Sequence, residues 1–185
     1  IIPNAASIEN LAREVKDNGG VYIVPAFSGL FAPYWRPDAR GVIVGLTRFA
    51  NRKHLARAVL ESTAYQTRDV ADAMVADSGV EITELRVDGG MTMNELLMQF
   101  QSDILGVEVH RPKNIETTAT GAAFAAGLDH GFWDDLSVLG SQAGDMKVFK
   151  PKRDKEEVEG LYRDWKRAIK RSLEWEDNED EDLNF

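Results

Sequence analysis

Residues 85–94 read LRVDGGMTMN, a pattern that predicts a short strand turning directly into a helix. Two consecutive glycines, Gly89 and Gly90, allow the backbone to approach a flat or anionic ligand, because no side chain keeps it away. A helix that begins behind such a turn offers unpaired N–H groups and the positive end of its dipole. Thr92 and Glu95 have capping-box spacing, which predicts where that helix begins. The stretch therefore predicts a nucleotide site of the strand–turn–helix kind.

The composition indicates one domain. With 185 residues, 43% of them hydrophobic, the chain can bury a substantial core. It contains no cysteine, which excludes disulfides and thiolate–zinc sites. No apolar run is long enough to span a membrane and no signal peptide is visible, so we expect a cytoplasmic protein. The chain begins at Ile1 without an initiator methionine, and we expect it to be part of a longer protein.

The net charge of −9 is concentrated near the C-terminus, where residues 174–182 hold seven acidic side chains and no basic one. The remainder of the chain therefore carries only −2 of that −9. This balance argues against a nucleic-acid surface. We expect residues 174–185 to form a solvated acidic tail, with a basic partner as the alternative.

Helices alternate with strands along the chain, as in an α/β domain with parallel strand pairs. Asn51 and Gly79 are predicted to bound one long helix, whose positions Leu55, Val59, Ser62, Gln66, Val70 and Met74 recur every three to four residues. Another helix is predicted to begin at residue 8 and to stop at Gly19. Three more are predicted at residues 94–105, 118–128 and 155–175. Strands are predicted at residues 21–24, 42–46, 85–87 and 107–110. Only two strands stand in clear βα succession, so we expect the opening strands of the sheet to lie before Ile1.

Five stretches resemble the FGGY family of carbohydrate kinases, in the family's order and over nearly the whole chain. They are GVYIVPAFSGLFAPYWRPDARG at residue 20, GLTRFANRKHLARAVLESTAYQTRDV at residue 45, RVDGGMTMNELLMQFQSDILG at residue 86, ETTATGAAFAAGL at residue 116 and YRDWKRAIKRSLEWE at residue 162. Residues 45–61 resemble one of the family's two signature patterns. The segments YQTRDV and FQSDILG are similar to the branch of the family that phosphorylates glycerol.

The resemblance implies an actin-like, ribonuclease-H-like architecture in which two α/β domains close over a cleft. Residues 1–173 would be the C-terminal, nucleotide-side domain without its opening strands. The implied reaction moves a phosphoryl group from ATP, with Mg²⁺, to glycerol, giving glycerol 3-phosphate and ADP. This chain would hold the adenosine and be inactive alone. The alternatives are another polyol or pentulose kinase of the family and a non-catalytic nucleotide-binding module.

The resemblance also implies binding residues. Gly90 and Asn94 fall where the family holds the adenosine of the nucleotide, and Gly89 shares their turn. Ala5 and Glu9 lie in a segment, NAASIEN, that is similar to the family's AGASIQ element, with alanine in place of a glycine and glutamate in place of glutamine. Because an anionic Glu9 is unfavourable near phosphates, we expect it to contact ribose or base, or to have lost the contact.

We predict no catalytic residue and no metal ligand in this chain. The resemblance places the catalytic carboxylate and the Mg²⁺ ligands in the N-terminal half. Asp88 is expected to order the glycine turn through backbone hydrogen bonds rather than act as a base. His54, His110 and His130 fit no metal-binding spacing, and His54 is expected to be exposed in the first turn of its helix.

Two further segments leave alternatives open. The small-residue helix at 118–128 is similar to the family's interdomain helix, so it could serve as a hinge or be a packed core helix. The aromatic loop, with Phe27, Phe31, Tyr34 and Trp35, is expected to pack on its own domain. A subunit contact is the next candidate, since enzymes of this kind commonly form homo-oligomers, and sugar stacking is the third.

Overall fold

The computed structural model describes residues 2, 4–135 and 145–176. Within these residues the chain forms helices α1 to α5, strands β1 to β5 and two short 3₁₀ turns. The helices are α1 Ile8–Arg13, α2 Arg52–Ser78, α3 Glu95–Leu105, α4 Thr117–Asp129 and α5 Lys155–Ser172. The strands are β1 Tyr22–Val24, β2 Val42–Val44, β3 Glu84–Arg86, β4 Glu108–Pro112 and β5 Met146–Phe149, and the 3₁₀ turns are Ala5–Ser7 and Gly90–Met93.

Strands β3, β4 and β5 form one sheet in that order. The pair β3–β4 is parallel, as the alternation of strands and helices predicts, whereas β5, which the sequence analysis missed, is antiparallel to β4. Strands β1 and β2 form a separate antiparallel pair. No described strand pairs with the outer edge of β3. The domain is thus α/β, with the glycine turn leaving the carboxyl end of an edge strand.

Helix α2 begins and ends where the sequence predicts. The Asn51 Oδ1 atom accepts a hydrogen bond from Lys53 N at 2.9 Å, and Gly79 ends the helix in the left-handed conformation with φ 68°. The predicted exposure of His54 is wrong. Its ring is buried, stacks against Phe49 and accepts at Nδ1 from the N–H of Asn51, because the loop before α2 folds over it.

The core lies where α2, α3 and α5 meet the strands. Tyr65 of α2 is at its centre, stacked on Trp165 of α5 at 5.2 Å and edge-on to Phe100 of α3 at 5.4 Å between ring centroids. Helix α5 buries the stripe that its periodicity predicts, with Val158 among its buried residues, although it ends at Ser172 rather than residue 175.

Helix α1 is shorter than predicted, and the glycines that follow it are held by side-chain rather than helical hydrogen bonds. Asp17 Oδ1 accepts from Gly19 N and Asn18 Oδ1 accepts from Gly20 N, each at 2.9 Å. The helix ends at Arg13, and the chain turns before it reaches the glycines.

Two regions differ from their sequence-based expectations at the surface. Of the aromatic loop, only Tyr34 packs against its own domain, where Lys166 Nζ donates to its hydroxyl at 2.8 Å, while Phe27, Phe31 and Trp35 are exposed. Helix α4 has no buried residue, so it is not a packed core helix in this chain.

The first residues of the acidic segment, 174–176, fold back and donate backbone N–H groups to Asp38. Residues 177–185 lie outside the described part of the chain.

The described helices include none that combines the length and the apolar character needed to cross a membrane.

Candidate functional site

Backbone hydrogen bonds hold the residues of the glycine turn to β4 and to the segment before α4. Val87 N donates to His110 O at 3.0 Å, and Gly89 N donates to Ile115 O at 3.1 Å. Gly89 has φ 83°, a conformation that favours glycine. Gly90 does not adopt a positive φ, and a Cβ atom placed there, as at Gly89, would meet no described atom within 4 Å. The packing of the described residues therefore does not require a glycine at position 90, and its open side faces a cavity.

Asn94, rather than the predicted capping box, begins helix α3. Its Oδ1 atom accepts from Leu97 N at 2.9 Å, whereas Thr92 Oγ1 donates to Gly89 O at 2.7 Å. The capping-box prediction for Thr92 and Glu95 is wrong because a 3₁₀ turn over Gly90–Met93 intervenes and places Thr92 inside it. The Nδ2 group of Asn94 donates to no described residue, so it is available to a ligand.

The N-terminus of α3 is also occupied by a carboxylate from α1. Glu9 Oε1 accepts from Leu96 N at 3.1 Å, and from Arg13 Nε at 3.0 Å. The N–H groups of Leu96 and Leu97 are therefore both bonded, to Glu9 and to Asn94. The expectation of unpaired N–H groups at this helix start is wrong for these two positions. The negative charge of Glu9 also offsets the positive end of the helix dipole.

A cavity of 580 Å³ brings most of the sequence-predicted site residues together. Ala5, Glu9, Gly90 and Asn94 line it, while Gly89 is not among its lining residues. Cavities of this size are typical of small-molecule sites, with apolar walls and a few polar groups. Its remaining wall is mainly apolar and comes from α1, α2 and the 3₁₀ turns: Ile2, Ala6, Ile8, Val59, Leu60, Thr63, Met91 and Met93.

The sequence analysis missed the α2 wall of this cavity. Val59 and Thr63 are four residues apart on α2 and so lie on one face of that helix. The sequence places Val59 in the stripe of α2 positions that recur every three to four residues. This spacing marks a helical face but does not indicate whether that face meets the core or a cavity. The structure leaves Val59 partly exposed and turns it towards the cavity, because the core face of α2 is made by residues such as Ala64 and Tyr65.

Asp88 does not order the turn through backbone hydrogen bonds as predicted. Its Oδ2 atom accepts from the hydroxyl of Thr117, which ties the turn to the start of α4. Beyond the cavity, Lys147 donates a hydrogen bond to Glu95 and holds the pKa of that carboxyl below its usual range. These carboxylates are each engaged in pairwise contacts, and the described residues contain no group of three or more histidine or acidic side chains arranged to hold a metal ion.

The sequence profile described as "FGGY family of carbohydrate kinases, C-terminal domain" matches residues 4–129, more than half of the chain. The chain belongs to the FGGY family. This confirms the family assignment made from the five stretches, and it is consistent with the mixed α/β fold.

The curated relatives of this FGGY chain include bacterial-strain proteins named glycerol kinase. The glycerol kinase of Corynebacterium kroppenstedtii is 68% identical over 181 residues, which are 98% of this chain and 35% of that protein. The glycerol kinase of Pseudarthrobacter chlorophenolicus is 63% identical over 179 residues, 97% of this chain and 36% of that protein. The chain thus spans about a third of the length of these relatives.

Solved structures give the same family. The crystal structure of Plasmodium falciparum glycerol kinase with ADP has a TM-score of 0.84 and 38% sequence identity, covering 93% of this chain and 34% of that one. The xylulose kinase of Rhodospirillum rubrum has a TM-score of 0.70 and 29% identity, covering 90% of this chain and 33% of that one. The described domain therefore has the architecture of the matching third of an FGGY kinase, the actin-like fold expected from the resemblance.

Proposed function

We propose that this chain is the nucleotide-side part of an ATP-dependent glycerol kinase, which converts ATP and glycerol to ADP and glycerol 3-phosphate. The 580 Å³ cavity beside Gly90 is the site at which it would hold the adenosine of ATP. The observation that carries the site is the open side of Gly90 in a cavity that also receives Asn94. Glycerol and the reacting hydroxyl would be held by the remainder of the longer protein.

The choice of glycerol rests on the degree of similarity. Among solved structures, the Plasmodium falciparum glycerol kinase matches at 38% identity, whereas the xylulose kinases match at 24% to 29%. A pentulose kinase of the same family is the second candidate, and a non-catalytic nucleotide-binding module the third. Assays of the longer protein with glycerol, xylulose and ribulose, in which the release of ADP is measured, discriminate among these three candidates. Preference for a pentulose would refute the choice of glycerol.

The cavity suits a nucleoside better than a phosphate chain. Its walls of methionine and valine can cover the faces of a flat base, and Gly90 lets the ligand approach the backbone. The free Nδ2 group of Asn94 offers a hydrogen-bond donor. Because Glu9 already occupies the N-terminus of α3, that helix end is a poor site for the negative phosphates.

Mg²⁺ would neutralise the phosphates of ATP during transfer. The described residues contain no group of three or more acidic or histidine side chains arranged to hold a metal ion, but a phosphate-bound Mg²⁺ needs only one or two carboxylates. On the resemblance to the family, we place the Mg²⁺ ligands and the catalytic carboxylate in the part of the longer protein outside this chain. The isolated chain is expected to leave glycerol unphosphorylated, and turnover at a rate near that of the intact relatives would contradict this.

The direct test is calorimetric titration of the 185-residue chain with adenosine and with ADP. We expect adenosine to bind at least as tightly as ADP, because the cavity contacts the nucleoside and the charge of Glu9 disfavours the phosphates. Gly90→Val places a side chain in the cavity and should abolish both, whereas the matched control Gly160→Val, in α5, should bind like the wild type. Binding that survives Gly90→Val would place the nucleotide elsewhere. A folded wild-type chain that binds neither ligand would refute an adenosine site formed by this chain alone.

We also propose that the protein is a homo-oligomer, as sequence similarity to this family of kinases suggests.

A further inference from the structure

Asn18 and Gly19 form the only asparagine–glycine pair in the chain. Asparagine loses its side-chain amide most readily before glycine, because glycine has no side chain to hinder the attack of its own backbone nitrogen on the asparagine carboxamide. The other asparagines of the chain are each followed by a larger residue. Position 18 is therefore the asparagine with the greatest intrinsic tendency to deamidate.

The fold requires a glycine at position 19. A Cβ atom placed there would lie 2.7 Å from Cδ2 of His54, whose ring is buried. The backbone of Gly19 also has φ 63°, in the left-handed region. A larger residue at this position would therefore strain the turn and displace the His54 ring. The fold thus retains the reactive pair, although another residue after Asn18 would be chemically safer.

The side chain of Asn18 is bonded at both of its polar atoms. It is 4% exposed, and its Nδ2 atom donates to Glu61 Oε2 at 3.0 Å. Its Oδ1 atom accepts from Gly20 N at 2.9 Å. The carboxylate of Glu61 is itself buried and accepts from Arg57 Nε at 2.6 Å. The carboxamide therefore belongs to a buried polar network that joins the segment after α1 to helix α2.

These contacts oppose deamidation while the chain is folded. The nitrogen of Gly19 must lose its proton before it can attack, and this N–H donates to Asp17 Oδ1 at 2.9 Å. The negative charge of Asp17 disfavours a second negative charge on that nitrogen. The departure of Nδ2 would also break the hydrogen bond to Glu61. Because burial keeps water from the carboxamide as well, we expect the reaction to proceed through a locally opened state.

We propose that Asn18 is a deamidation site that the fold protects, and that its reaction after local opening prevents the segment from closing again. The nitrogen of Gly19 forms a bond to Cγ of Asn18, and the bond between Cγ and Nδ2 breaks. The proton from Gly19 N leaves with Nδ2 as ammonia. Water then opens the resulting succinimide ring and gives aspartate or isoaspartate, so the reaction consumes only water.

The product does not fit the folded chain. An aspartate at position 18 would present a carboxylate, which has no donor when ionised, where Nδ2 now donates to Glu61. Two carboxylates this close in a buried site cannot both ionise without a cost.

The consequence extends to the 580 Å³ cavity. Helix α1 packs on α2 through the apolar cluster of Ala12, Ala56 and Leu60, and it supplies Ile8 and Glu9 to the cavity wall. The bond between Asn18 and Glu61 holds the chain that follows α1, so its loss should loosen that wall. This inference does not rest on the proposed function.

Peptide mapping by mass spectrometry tests the protection, with the longer protein incubated folded in buffer and unfolded in urea. We expect deamidation at Asn18 to be at least about tenfold slower in the folded protein, because reaction through a minor open state is slowed by the fraction of molecules that are open. Glu61→Ala removes the acceptor of Nδ2 and should raise the rate in buffer towards the rate in urea. Asp72→Ala, which removes an exposed carboxylate of the same helix, should leave it unchanged.

Hydrogen exchange of the α1 amides tests the consequence and does not depend on Glu61→Ala being folded. Asn18→Asp reproduces the product and should speed exchange of α1 at least about tenfold, because it removes a buried hydrogen bond to a charged group and adds a like charge. Asn10→Asp adds the same charge at an exposed position of α1 and should leave the exchange rate unchanged.

Three results would overturn the proposal. One is an equal rate of deamidation at Asn18 in buffer and in urea, which would mean that the fold gives no protection. Another is the absence of deamidation at Asn18 in urea, which would mean that the pair is not reactive. The last is equal hydrogen exchange of α1 in Asn18→Asp and Asn10→Asp, which would mean that the product closes as well as the original residue.

Discussion

Asp69 joins helix α2 to helix α5, and its replacement by alanine should destabilise the fold strongly. Its carboxylate is 3% exposed and accepts hydrogen bonds from Tyr162 Oη at 2.5 Å and Trp165 Nε1 at 2.7 Å. Burial, followed by this hydrogen bond, raises the pKa of Tyr162 far above its ordinary value of 10, so the hydroxyl stays a donor at every pH of interest. Asp69→Ala leaves both donors buried without an acceptor.

The expected loss follows from those two donors. A buried donor left without a partner costs about 1 to 3 kcal/mol, so the loss of the acceptor for two donors should lower the unfolding free energy by about 2 to 6 kcal/mol. The third partner, Lys166, is 40% exposed at its side chain and can turn to water, so we assign it no part of the loss. For a chain of this size the change corresponds to a fall of about 10 °C in the melting temperature.

Urea unfolding followed by circular dichroism measures this, with Asp72→Ala as the control. Asp72 lies one turn further along α2, is 54% exposed at its side chain and contacts Arg68 at 3.5 Å. Because Asp72 is exposed and Arg68 keeps its ion pair with Glu159 at 2.6 Å, we expect Asp72→Ala to cost only about 0 to 1 kcal/mol. If Asp69→Ala costs no more than Asp72→Ala, the reasoning that buried donors require Asp69 is refuted.

Three further outcomes are expected. The hydrogen bond from Arg36 holds the pKa of Asp38 below its ordinary value of 3.8, so its stabilising effect is complete above pH 3.8 and is lost as the pH falls below it. Acid unfolding of Asp38→Asn should therefore depend less on pH than that of the wild type, and equal pH dependence would contradict this. Glu9→Ala removes the acceptor for Leu96 N and should lower the unfolding free energy, measured in urea, by about 1 to 2 kcal/mol. Glu9→Gln keeps an acceptor and should lower it less. Equal losses in the two variants would contradict the role of this hydrogen bond. Asn51→Ala removes the cap of α2 and should cost about 1 kcal/mol, so an unchanged urea midpoint would exclude a capping role.

The sequence predicts best those features that depend on neighbouring residues. The ends of α2 at Asn51 and Gly79 follow from capping and from a left-handed glycine, and both signals act within a few residues. The buried stripe of α5 is equally local, because it repeats every three to four residues. Features fixed by distant contacts could not be predicted in this way. The folding back of residues 174–176 onto Asp38 joins segments that are far apart in the sequence. The burial of His54 depends on the adjacent loop before α2, whose conformation has no periodic signal.

The residues of the candidate site also differ in whether the sequence could predict them. The glycine pattern and the family resemblance indicate Gly90 and Asn94, and the structure places Ala5 and Glu9 at the same cavity although more than eighty residues separate the two segments. That proximity could be expected from resemblance but not from residue spacing. The α2 wall could not be predicted, because Val59 belongs to a stripe whose spacing looks the same whether it faces the core or a cavity.

The contact between Glu9 and α3 changes what the glycine turn can be expected to bind. A strand–glycine–helix sequence ordinarily indicates a phosphate at the helix N-terminus, because that end presents free N–H groups and positive potential. Here the carboxylate of Glu9 and the amide of Asn94 already accept from Leu96 and Leu97. A phosphate would have to displace Glu9 or lie against its negative charge, and both are unfavourable. The turn is therefore suited to an uncharged nucleoside, and the charge of a triphosphate must be met by groups outside this cavity. Comparison of ADP with adenosine binding in Glu9→Gln tests this argument. Removal of the negative charge should strengthen ADP binding relative to adenosine binding, and an unchanged ratio would remove the reason for separating the two parts of the nucleotide.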